Sequence, residues 1–166
     1  MNRNNQKLLI FFTAFCLPLL SIGSPEWLKI NGISPCWPVI WLLPFSLKNS
    51  PLKSAIAGII LGVFMDSFTI DEFSYVPSFL LLSLIWSNYG LHNKKIEYCF
   101  SLGLLAIFGT ACVGLSIWAQ KIIFHSVLRN NWFNSWSFYV LVSEIVITGL
   151  VAPFLSSWLL LSYKKN

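Results

Sequence analysis

The feature that most constrains this chain is where its charges fall: in short clusters, separated by long apolar runs such as LLIFFTAFCLPLLSI and AIAGIILGVFM. Only 10% of the 166 residues are charged and 56% are hydrophobic, where a soluble domain carries about 25% charged residues. So few charges cannot clothe a water-facing surface, which makes lipid the expected solvent for most of the chain. No polar stretch is long enough to enclose a separate core. The expected fold class is all-α: a polytopic membrane helix bundle in a single domain covering residues 1–166.

A helix needs about 20 apolar residues to cross roughly 30 Å of hydrocarbon. Six runs approach that length, near residues 8–22, 33–47, 52–70, 75–91, 98–123 and 138–161. The second is short and holds or borders Pro35, Pro38 and Pro44, so a broken or re-entrant segment is the alternative there. The first also resembles a secretory signal, with Arg3 and Lys7 ahead of it and Ser21, Gly23 and Ser24 behind. Five further runs follow, and an uncleaved first helix explains the same features.

Lysine and arginine set the expected orientation. With the N-terminus inside, the inner segments hold Arg3, Lys7, Lys48, Lys53, Lys94, Lys95, Lys164 and Lys165, and the outer ones only Lys29, Lys121 and Arg129. Both termini are therefore expected in the cytoplasm. Trp27, Trp86, Trp132, Trp136, Trp158 and Tyr163 fall near the ends of runs, where interfacial aromatics belong. The net charge of +5 does not point to nucleic acid, because the basic residues stand singly or in pairs at run ends instead of lining one face.

Two small-residue faces stand out. In the third run, Ala55, Gly58, Gly62 and Asp66 follow one another at steps of three, four and four, so they share one helical face. The glycine pair is a GxxxG motif that lets another helix come close, and a carboxylate ends the groove. In the fifth run, Gly103, Ala106, Thr110 and Gly114 repeat the spacing. Both sets are candidate helix-packing or partner faces.

Glu144 is a second acid, inside the sixth run, and Thr148, Ala152 and Ser156 continue its face. An ionisable group within a span costs about 2.5–3.5 kcal/mol on insertion scales, so it should face the bundle interior with a partner. At ~1.5 Å rise per residue, Asp66 and Glu144 both lie about 9 Å below the outer surface. One shared acidic locus is expected, with Lys121, Arg129 or His125 supplying counter-charge.

Cys16, Cys36, Cys99 and Cys112 lack metal-type spacing and read as small hydrophobes. No P-loop, HExxH or GxSxG occurs, and neither His92 nor His125 has a partner at ligand spacing. No cofactor or metal is expected, and nothing nominates an enzyme.

The order of runs, the small size, and Lys48 and Lys53 opening a third run that reads AGIILGVFMDSFT resemble the rod shape-determining MreD family. That family has a glycine-bearing third helix of the form G-x-x-x-G-x-x-x-D, matched here by Gly58, Gly62 and Asp66. The aromatic-rich, proline-punctuated character is most similar to its divergent cyanobacterial members. One departure follows the aspartate, where the family usually carries a further glycine and this chain reads SFTIDEFSYVPSF. Glu144 matches no family motif.

The resemblance implies a non-enzymatic subunit of the bacterial cell-wall elongation complex, scaffolding or regulating peptidoglycan synthesis and cell shape. Its implied place is the plasma membrane, beside an MreC-like protein, MreB, RodA and a class B penicillin-binding protein. The alternative is a substrate-binding S-component of an energy-coupling-factor vitamin transporter, a six-helix fold that MreD-like proteins resemble. Against it, Ala14 is followed four residues later by Pro18, where such subunits usually carry an Ala-x-x-x-Ala patch. An unrelated membrane enzyme or small channel, with Asp66 and Glu144 handling protons, is the remaining class.

Overall fold

The computed structural model describes Cys16, Leu20, Gly23, Ser24, Glu26, Lys29 and residues 32–68, 73–92, 99–125 and 135–164. Among these lie five helices: α1 (Trp37–Lys48), α2 (Pro51–Phe68), α3 (Val76–His92), α4 (Cys99–His125) and α5 (Ser135–Lys164). The run at 8–22 lies outside the described residues, apart from Cys16 and Leu20.

Helices α2 and α3 pack as one antiparallel hairpin and α4 and α5 as another, while α1 sits between them and touches all four. The hairpins meet each other directly mainly along a thinner seam between α3 and α4.

Among the described residues, three helices are long and apolar enough to cross a membrane: α2, the Ser101–Ile123 part of α4 and the Phe138–Leu160 part of α5. Of the six crossings expected from sequence, the run at 8–22 lies outside the described residues, and two others fall on the shorter helices α1 and α3. With 12 residues, α1 spans only about 18 Å. Pro38 stands in its first turn, where a missing N–H costs nothing, and extended Asn49 followed by Pro51 ends it. The 17 residues of α3 reach about 26 Å. Ahead of α1 the chain is irregular from Gly32, at φ 83°, to Cys36.

The core is built around α1. Val39, Ile40, Leu42 and Leu43 are fully buried, and Trp37 and Trp41 nearly so. A helix that is apolar all round and covered all round is an interior element. The other helices turn large apolar side chains outward. On α5 the exposed residues Phe138, Val142, Val146, Leu150, Phe154 and Trp158 repeat at steps of four. On α2 Leu52, Ile56, Ile60 and Val63 make a similar stripe. Water would penalise such continuous apolar faces, and hydrocarbon would not. The fold is therefore an all-helical membrane bundle with a buried central helix.

Two prolines inside helices have visible consequences. Pro44 cannot donate to the Ile40 carbonyl one turn back, and Ser156 of α5 donates to that carbonyl instead, at 3.4 Å. Pro153 likewise leaves the Gly149 carbonyl of α5 without its helical donor. That oxygen faces Gly103 of α4, where a Cβ would come within 3.3 Å of it.

Candidate functional site

The face carrying Ala55, Gly58, Gly62 and Asp66 lies along the α2–α3 hairpin. Gly58 and Gly62 are buried, and Ala55 is half-buried. A Cβ on Gly58 would stand 2.7 Å from the Phe79 carbonyl oxygen, and one on Gly62 would stand 2.5 Å from Val76 Cα. The glycines thus bring the α2 and α3 backbones together within the chain, and α3 covers the groove they make.

Asp66 stands at the end of that groove, half-buried. One carboxylate oxygen accepts the Tyr75 N–H at 2.7 Å, and the other accepts the Ser74 hydroxyl at 2.6 Å. The Ser74 hydroxyl in turn accepts the Val76 N–H at 3.2 Å. These N–H groups belong to the start of α3, where a helix leaves donors unpaired and favours negative charge. Asp66 therefore caps α3 from the end of α2.

The network continues into α4. Gln120 accepts the Ser74 N–H at 3.0 Å and donates to the Ser74 carbonyl at 2.9 Å, so both backbone groups of one residue are held by one amide. The same amide nitrogen lies 3.5 Å from the Ser116 hydroxyl. Next to it, the Lys121 ammonium sits 5.7 Å from the centre of the Phe73 ring, within cation–π range.

Glu144 belongs to a second site. Its carboxyl accepts a hydrogen bond from the Cys36 thiol, and one turn on, Thr148 accepts the Cys36 N–H at 2.9 Å. Cys36 is the N-cap residue of α1 and has no side-chain capping bond of its own to that helix. Because α1 is short and runs parallel to α5, its N-terminus falls well inside the bundle, where unpaired N–H groups are costly. Thr148 and Glu144 supply that end with a hydroxyl acceptor and a carboxyl group. Cys36 is thus more than the small hydrophobe expected, because it joins Glu144 to α1. Ala152 and Ser156, on the same face of α5, are also buried.

The two carboxyls lie on helices of different hairpins and have different partners, Ser74 and Tyr75 for Asp66 and Cys36 for Glu144. Lys121 faces the Phe73 ring. Arg129 lies outside the described residues, as does the side chain of His125.

The second small-residue face joins α4 to α5. Gly103 approaches Gly149 and Pro153, and Gly114 approaches the Leu141 side chain. Ala106 and Thr110 are buried, with the Thr110 hydroxyl donating to the Ala106 carbonyl at 2.7 Å. On the outer side of this seam, Leu104, Ile107, Leu150 and Phe154 wall an apolar groove of about 510 Å³ floored by Gly103, Gly149 and Pro153.

Trp86 is also placed differently from its sequence reading. It is fully buried instead of interfacial, seated against Gly109 of α4 beside Val39 of α1. Gly109 has no Cβ to obstruct the indole, and this notch lies outside the Gly103–Gly114 set singled out by spacing. The indole N–H is buried without a hydrogen-bond partner, as are the hydroxyls of Ser46, Ser54 and Ser78. Gln120 and Ser74 were also unmarked in sequence; the one available signal was a polar Gln120 in the last turns of an apolar run.

Among the described residues no group of three His, Cys, Asp or Glu side chains could hold a metal ion. What the arrangement visibly does is satisfy buried helix ends and seat helices closely on one another. Compared with protein-family models, with curated proteins and with solved structures, the chain finds no match.

Proposed function

We propose that this chain is a non-enzymatic membrane subunit of the MreD type, scaffolding or regulating the bacterial cell-wall elongation complex. In this reading it crosses the plasma membrane six times with both termini on the lysine-rich cytoplasmic side. The observation that carries it is the third-run pattern of Gly58, Gly62 and Asp66. The same pattern that resembles the family motif has a physical task here: the glycines seat α3, and the aspartate caps it. Short connections and continuous apolar outer faces suit a protein whose working surfaces lie in the membrane. Partners would be an MreC-like protein, MreB, RodA and a class B penicillin-binding protein.

Depleting the chain in its host and following cell shape, together with co-purification of an MreC-like protein on the tagged chain, tests the reading. Loss of shape control and recovery of that partner are the expected results. Unchanged shape with no such partner, or a tightly retained vitamin in the purified protein, would overturn it. The retained vitamin would favour the transporter-subunit alternative.

A further inference from the structure

The apolar groove on the outer side of the α4–α5 seam leads toward a cation. Its walls are Leu104 and Ile107 of α4 and Leu150 and Phe154 of α5, over a floor of Gly103, Gly149 and Pro153. All four wall side chains are exposed, so the groove opens away from the protein and into hydrocarbon. Leu160 follows Pro153 by two helical turns and Gly149 by three, steps that return to the same face of α5. Its carbonyl accepts the Lys48 ammonium at 3.3 Å in an exposed contact. The face of α5 that floors the groove therefore runs up to Lys48.

The dimensions suit one lipid. At ~1.5 Å rise per residue, Leu160 and the ammonium on it stand about 10 Å above Pro153 and about 16 Å above Gly149. Half of a roughly 30 Å hydrocarbon core is about 15 Å, so a chain that fills one leaflet reaches from the level of Lys48 to the groove floor. The same end of the bundle carries Lys53 at the start of α2 and Lys164 at the end of α5, a field that favours an anion. An ammonium has three donors, so Lys48 can hold a phosphate oxygen together with the Leu160 carbonyl. A partner helix fits less well. Helices associate in lipid by packing along their length, and these walls last about one turn on each helix.

We propose that the α4–α5 groove binds an anionic phospholipid from the leaflet at the Lys48 end. One acyl chain lies between the Leu104–Ile107 and Leu150–Phe154 walls, and the phosphate rests at Lys48. The glycine floor gives the chain its depth, because Gly103 and Gly149 put no side chain in its path. Selectivity comes from Lys48, since neighbouring lipids offer the same methylenes and differ in headgroup charge.

The test is photocross-linking of the full chain in phosphatidylcholine liposomes. The probe is phosphatidylglycerol with a diazirine on one acyl chain, compared with phosphatidylcholine carrying the same chain, and labelled residues are mapped by peptide mass spectrometry. The site predicts that the phosphatidylglycerol probe labels the groove walls above the outer stripe of α2 at Leu52, Ile56 and Ile60, and above the phosphatidylcholine probe. Lys48→Gln should lower its labelling of the walls by about fivefold, the size of one lysine's attraction to an anionic lipid surface, and Lys48→Arg should retain it. Leu104→Trp, which fills the groove from an exposed position, should reduce labelling of Leu150 and Phe154 and leave α2 unchanged. Equal labelling of the walls by the two probes in the unaltered chain overturns the proposal, and so does equal labelling of the walls and the α2 stripe, because either is bulk solvation. Walls left unlabelled beside a labelled α2 stripe overturn it too, since a second helix would then cover the groove. The comparison of the two probes needs no substitution, so it decides the matter should Lys48→Gln fail to accumulate in membranes.

Discussion

Replacing Gly62 with alanine probes the α2–α3 contact at its tightest point. The added Cβ would stand 2.5 Å from Val76 Cα and 2.9 Å from Val76 N. Those are backbone atoms, so no side-chain rotation relieves the clash. Moving from 2.5 Å to an ordinary contact of at least 3.4 Å requires α3 to retreat by 0.9 Å. Overpacking of this kind costs about 1–3 kcal/mol. The retreat also carries Tyr75 away from Asp66, stretching a 2.7 Å hydrogen bond whose loss adds about 0.5–1.5 kcal/mol. Reversible unfolding in mixed micelles or by steric trapping should therefore show a loss of about 1.5–4.5 kcal/mol, the sum of these two ranges. Because the two effects share one displacement, Gly62→Ala and Asp66→Asn should be less than additive. Gly23→Ala is the control, since a Cβ there meets nothing within 4 Å. If Gly62→Ala proves as silent as the control, the close seating of α3 on α2 is wrong.

Three further outcomes follow from the same packing. Thr148→Val leaves the part-buried Cys36 N–H without its acceptor and should cost about 1–3 kcal/mol, while Thr148→Ser stays near wild type; the same unfolding assay separates them. Gly109→Ala should destabilise the chain by driving a Cβ into the Trp86 indole, and less so in a Trp86→Phe background, with a double-mutant coupling of about 0.5–3 kcal/mol. Ser156→Ala removes the donor to the Ile40 carbonyl that Pro44 leaves free, so Ser156→Ala should cost about 1 kcal/mol, and restoring the helical donor with Pro44→Ala should shrink that loss.

Local spacing made part of this architecture legible. Steps of three and four put Gly58, Gly62 and Asp66 on one face, and that face is what α3 packs against. The same rule grouped Glu144 with Thr148 and Ser156, which all reach α1. Spacing could not say which helix would arrive, because partner choice is set by contacts far apart in sequence. Gln120 and Ser74 are 46 positions apart, and Cys36 and Thr148 are 112. Depth alone did not show that Asp66 and Glu144 would sit on different hairpins with different partners.

Hydropathy had a more basic blind spot. In water, an apolar face points inward, so pattern reveals the core. In lipid, both the core and the outer surface are apolar, and α1 and α2 read alike although one is largely buried and the other is largely outward-facing. Trp86 was misplaced for the same reason: its position near the end of a run suited an interface, and only the notch at Gly109 shows where the ring goes.

The central claim is that hydrocarbon solvates the outer faces of α2 and α5. It is tested most directly by placing an environment-sensitive fluorophore at Ile60→Cys or Phe154→Cys in liposomes, with Lys53→Cys as the reference. Nitroxides on the lipid chains should quench the first two and aqueous iodide should not, with the opposite pattern at position 53. Strong iodide quenching at Ile60 and Phe154 would contradict the account.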